Sequence, residues 1–165
     1  MTIKNMLVPV GDIAHDESAI GTALTLTQVF GGHADCLFVT GDVSDIIPAG
    51  AMGLYESVQV QLSQEFEHER EQKQKLARQR FDDMLEAAHI DYRENALPAE
   101  LPSASWEVIR GIASEIVAIR GGAYDMVIVG RPPPDRASVA ELAAEAALFR
   151  TGRPVLIAPP EAPRS

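Results

Sequence analysis

Short aliphatic runs alternate with segments of helical periodicity along the whole chain, and that alternation leaves few folds open. The runs are Ile3–Val10, Ala34–Thr40, Asp125–Gly130 and Pro154–Pro159, bounded by Gly, Pro or Asp. Their largely continuous apolar character suits strands buried on both faces. Between the first two runs, Ala19, Ile20, Ala23, Leu24, Thr27 and Phe30 recur at helical spacing. Asp16 or Ser18 is a suitable N-cap there, and Gly31-Gly32 a stop.

A longer stripe follows: Val58, Leu62, Phe66, Leu76, Ala77, Phe81, Met84, Leu85 and Ala88 mark one helical face. Its gap from Arg70 to Lys75 implies a helix that overhangs the core or meets a partner. Tyr92 to Leu97 is a weaker third strand. Ser103 or Ser105 then caps a predicted helix carrying Val108, Ile109, Ile112, Ala113, Ile116 and Ile119, closed by Gly121-Gly122. Ser138 to Phe149 is an Ala-rich helix. The order β-α-β-α-β-α-β-α-β calls for a doubly wound α/β fold: a five-stranded parallel sheet with helices on both faces. One domain over residues 1–160 is expected, with a frayed tail at 161–165. A ligand crevice belongs beyond the strands' C-terminal ends, among the loops Gly11–Asp16, Thr40–Gly50 and Gly130–Ala137.

Composition narrows the function. A chain of 165 residues can bury a core, and 46% hydrophobic content argues against wholesale disorder. The net charge of −10 opposes direct binding to nucleic acid and to anionic membrane surfaces. Cys36 stands alone, which excludes an intrachain disulfide and a Cys-based metal site; it reads as a buried strand residue. No run of 18 apolar residues occurs, and the first apolar stretch is too short for a secretory signal, so a cytoplasmic location is expected.

Three phrases carry a resemblance: Met6-Leu7-Val8-Pro9-Val10, Tyr124-Asp125-Met126-Val127-Ile128-Val129-Gly130-Arg131 and Gly152-Arg153-Pro154-Val155-Leu156-Ile157-Ala158-Pro159. Their order and spacing, with the long second helix, resemble the universal stress protein family over almost the whole chain. The resemblance implies a Rossmann-like sheet of the adenine nucleotide alpha hydrolase type, in strand order 3-2-1-4-5. It also implies a homodimer through the last strand and a stress-response role. ATP-binding members end the first strand in Val-Asp and carry Gly-x2-Gly-x9-Gly-Ser/Thr after the fourth. Here Val10 is followed by Gly11, with Asp12 one place later. Gly130 fits the first loop position, but the second falls on Pro133 and the final pair on Ala143-Ala144, or on Glu141-Leu142 if the shorter segment is allowed for.

The physical consequence follows from the residues themselves. Small residues would let backbone N–H groups close round phosphates, whereas Pro132, Pro133 and Pro134 remove three consecutive donors. Glu141 and Glu145 suit a helix N-terminus but compete with a phosphate there. No cofactor is therefore expected, with ATP disfavoured. Should a ligand bind, Val10, Gly11, Asp12, Thr40, Gly130 and Arg131 are the candidate residues.

Other groups have plainer readings. Asp12, His15, Asp16 and Glu17 could hold a cation or act as a base, but serve equally as a helix start, which is the favoured role. His33, His68 and His89 are expected at the surface, and Arg131 and Arg136 as ion-pair partners of Asp135 or Glu141. Trp106 is read as packing near a helix start. No Gly-x-Ser-x-Gly elbow supports a serine nucleophile. The leading expectation is a non-catalytic stress or regulatory domain, as a homodimer or within a tandem assembly, with an unknown protein partner. The alternative is a binder of a small ligand or nucleotide such as ATP or AMP, using an altered site; an ATPase ranks last.

Overall fold

The computed structural model describes residues 3–41, 56–94, 102–132 and 138–162, the side chains of residues 56–63 excepted. The elements are β1 (Asn5–Val10), α1 (Ile13–Phe30), β2 (His33–Thr40), α2 (Glu56–Ala88), β3 (Asp91–Tyr92), β4 (Ser103–Arg110), α3 (Ala113–Arg120), β5 (Met126–Val129), α4 (Val139–Arg150) and β6 (Val155–Ile157). All strands pair in parallel, in the order β3-β4-β2-β1-β5-β6.

Alternation along the strands sends successive side chains to opposite faces. Met6, Val8, Val10, Cys36 and Phe38 pack under α1 and α2, together with Ala77, Phe81 and Leu85 of α2. Leu7, Leu37, Val39, Val127 and Val129 pack under α3 and α4. Strands buried on both sides need apolar residues at every position, which is why these runs read as continuous. Cys36 is buried in β2, where burial pushes its thiol pKa up.

The sequence order 3-2-1-4-5 holds for the five main strands, but the third of them is β4, not Tyr92–Leu97. Of that segment only Tyr92 lies in a strand among the described residues, paired with its neighbour Asp91 against β4, and residues 95–97 lie outside the described residues. The helix expected from Ser103 begins at Ala113 instead, because 103–110 is a strand paired with β2 along its whole length. The disguise is polar. Ser103 and Ser105 are buried, and they point with His33 and Asp35 into one hydrogen-bonded group. Trp106, on the other face, stacks on Phe38 at 5.5 Å and meets Phe81 at 4.9 Å; its packing role stands, its helix does not.

Two of the recurring phrases have clear mechanical roles. The Asp125 carboxylate accepts from Lys4 N (2.8 Å) and Asn5 N (3.0 Å), which ties the start of β1 to β5. Those backbone donors hold its pKa below the usual carboxylate range. Arg153 donates from Nε (2.9 Å) and Nη2 (2.6 Å) to the Gly122 carbonyl, fixing the entry to β6.

α2 is long because only its second half is needed by the sheet. Ala77, Phe81 and Leu85 are buried, while Leu76 is exposed, contrary to its place in the sequence stripe. The first half runs beyond the strand ends, and Phe66 and Arg70 face the crevice there.

Candidate functional site

The chain reverses its direction of travel across the sheet between β1 and β5, and the candidate crevice lies at their C-terminal ends. Val10 is fully buried as the last residue of β1. Asp12 is the N-cap of α1, its side chain accepting from Ala14 N at 3.1 Å, so the helix starts earlier than Asp16 or Ser18 would have set it. Asp16 is one turn inside.

Asp16 is the residue that organises this end of the sheet. It is 2% exposed, and its Oδ2 accepts from Gly11 N (2.8 Å) and Asp12 N (3.1 Å). Its Oδ1 is buried without a hydrogen-bond partner. A Cβ placed on Gly130 would stand 2.3 Å from that Oδ1, so β5 can end here only in glycine. Desolvation raises the Asp16 pKa above the ordinary value, against the lowering effect of the two amides. On the other side, a Cβ on Gly11 would stand 2.2 Å from Val139 Cβ. The gap between β1 and β5 is thus filled by one carboxylate and one valine.

Of the acid-and-imidazole group expected near Asp12, Asp12 and Asp16 serve the start of α1, as favoured. His15 is exposed, and Glu17 pairs with Arg80 of α2 at 3.0 Å. No cluster of three or more metal-ligating side chains occurs among the described residues. His68 and His89 are exposed, as expected, but His33 is 3% exposed. Its Nδ1 lies 2.8 Å from Ser103 Oγ and its Nε2 lies 3.0 Å from Asp35 Oδ1. Ser105 also donates to Asp35, and these partners outweigh desolvation to lower the Asp35 pKa. The Ser103–His33–Asp35 array looks like a nucleophile set, but Ser103 is 1% exposed and lies at the N-terminal ends of the strands. It is a buried brace between β2 and β4.

Of the predicted site residues, Gly11 and Thr40 line one cleft of about 190 Å³, while Gly130 closes over Asp16 and Arg131 is exposed. Arg136, Asp135, Pro133 and Pro134 lie outside the described residues. The cleft's other walls are Phe38, Val39, Gly41, Phe66, Glu69, Arg70, Lys73 and Val139. Sequence reading missed the contribution of α2. The signal was present as the polar gap from Arg70, placed just after the apolar Phe66.

No protein-family model matches the sequence, and no curated protein matches it. Solved structures do match in fold. The universal stress protein UspA from Lactobacillus plantarum is 15% identical, with 96% of this chain and 99% of that one covered at a TM-score of 0.63. A universal stress family protein from Burkholderia pseudomallei is 14% identical, covering 96% and 97% at a TM-score of 0.55. A universal stress protein solved in complex with cAMP is 10% identical, covering 97% and 99% at 0.58. With the sheet order, the paired helical layers and these likenesses together, the chain has the fold of the universal stress proteins.

Proposed function

We propose that this chain is a divergent universal stress-type domain that serves a stress or regulatory role in the cytoplasm without catalysis and without ATP bound in the family's usual way. The observation that supports it is the Asp16 carboxylate seated on the Gly11 and Asp12 amides and pressed against Gly130. Those small residues would be the ones to approach a phosphate. Here an internal carboxylate takes the Gly11 and Asp12 donors and packs against Gly130, and a second anion would meet it at contact range. The three prolines that follow Arg131 carry no N–H at all, so the residues do not fit a triphosphate. Equilibrium dialysis against labelled ATP with Mg²⁺ tests this; retention below a micromolar dissociation constant at one site per chain would overturn it.

The partner we propose is a second copy, joined through β6. That strand pairs only with β5 among the described residues, and Ile157 is 50% exposed at the sheet's edge. An uncovered apolar edge invites pairing. No helix among the described residues is long and apolar enough to cross a membrane.

A second reading, a small-ligand or nucleotide binder with an altered site, is favoured by the cleft between Thr40 and α2. One protein of this fold was solved with cAMP, which shows that protein's capacity. Mass spectrometry of whatever small molecule is released on denaturing the purified chain separates the two readings.

A further inference from the structure

The cleft beside Thr40 carries a guanidinium with one donor left over. Arg70 lines it with only 11% of its side chain exposed, and its Nε–H is buried without a partner. Its Nη2 donates to Glu67 Oε1, but the same oxygen also accepts from Arg110 Nη2 at 2.9 Å. Two guanidinium groups therefore share one carboxylate. Lys73 at the rim is paired with Glu69 at 3.1 Å and is 69% exposed, so it cancels its neighbour and, among the described residues, leaves the balance at the cleft positive. That excess stands out on a chain of net charge −10.

The remaining walls are apolar. Phe38 comes from β2, Phe66 from α2 and Val139 from the start of α4. A volume of about 190 Å³ is slightly larger than a cavity of about 150 Å³ that accepts benzene. It holds one ring and a short arm. A buried guanidinium with an orphaned donor is costly until an acceptor reaches it, and a carboxylate matches its planar fork.

We infer that this cleft binds a small aryl or cyclic monocarboxylate, its ring among Phe38, Phe66 and Val139 and its carboxylate on Arg70. The inference rests on the reading that the phosphate cradle at Gly11 and Gly130 is closed, which leaves this cleft as the receiving surface.

Titration of the full chain with sodium phenylacetate and, separately, with neutral phenylacetamide tests it, followed by amide NMR at Gly41, Phe66 and Arg70. Saturable shifts with phenylacetate are expected, at roughly millimolar affinity or better for so few atoms. The amide is expected to bind roughly tenfold or more weakly, the worth of a charge-assisted hydrogen bond. R70Q should abolish that acid-over-amide preference, and R70K should restore part of it. No saturable shift, or equal binding of acid and amide by the unaltered chain, overturns the inference, and that comparison needs no variant to fold. Mg-ATP added in parallel keeps the two readings apart. Shifts at Asp12 and Gly130, which do not line the cleft, would sink the closed-cradle reading, whereas silence towards both probes would sink only the carboxylate site.

Discussion

Asp16 is a carboxylate in a place where solvent does not reach, held by two amides on one oxygen and by none on the other. Its pKa is raised by desolvation, so the folded state takes up a proton at higher pH than the unfolded chain, where the ordinary value of 3.8 applies. Acidification from neutrality towards about pH 4 therefore adds stability through this group. D16N has no such proton to bind. Thermal unfolding followed against pH should show the unaltered chain gaining on D16N as pH falls over that range; parallel curves would show that the burial penalty is absent. Asp35 works in the other direction. Its pKa is depressed by His33 and Ser105, so the stability it gives is present above the unfolded value and is lost as pH falls below about 3.8. Gly130 provides a second test of the same contact. G130A places a Cβ 2.3 Å from Asp16 Oδ1 and should cost about 1–3 kcal/mol in urea unfolding. Adding D16A removes the obstructing oxygen, so the cost of G130A in that background should fall below about 0.5 kcal/mol if the two residues are coupled as the geometry requires.

At the scale of elements, β4 decides how the sheet is read. The strands β1, β2 and β5 were legible because burial on both faces demands unbroken aliphatic sequence, and the edge strand β6 by its short aliphatic run between prolines. β4 was not, because Ser103 and Ser105 satisfy their hydroxyls within the His33–Asp35 group and so bury polar residues where apolar ones were sought. The helical spacing from Val108 to Ile119 was an accident of a strand running into a short helix; Ile112 and Ile119 are in fact exposed. Trp106 checks the revised assignment. It is 8% exposed and wedged against Phe38 and Phe81, so W106A should cost about 3–5 kcal/mol in chemical denaturation. A loss near that of a surface substitution would mean that β4 does not lie where it is described. Within the site, Asp12, Gly11 and Gly130 were legible as a loop cluster, but Asp16 was not. A carboxylate near a helix start reads as a cap, and only the packed fold shows that it points inwards to the Gly11 and Asp12 amides that follow β1.

For the whole molecule, the two-sided sheet fixes which surfaces remain for partners. α1 and α2 cover one face and α3 and α4 the other, which leaves the two edges, at β6 and at β3, and the strand ends. If β6 joins two copies, I157D should convert a dimer into a monomer by light scattering at roughly tens of micromolar, since an edge charge opposes strand pairing. A monomeric unaltered chain at that concentration would refute the assembly. The strand ends carry the functional question, and there the fold and the chemistry diverge. The sheet is that of proteins which include a cAMP-bound example, but at its switch point Asp16 packs against Gly130 and Val139 against Gly11, the basis of the proposal that ATP is not held there. Amide NMR of the chain titrated with Mg-ATP measures this directly, because the Gly11, Asp12 and Gly130 signals report on the donors in question. Unmoved signals across a millimolar titration are the expected result. Saturable micromolar shifts at those three amides would contradict it.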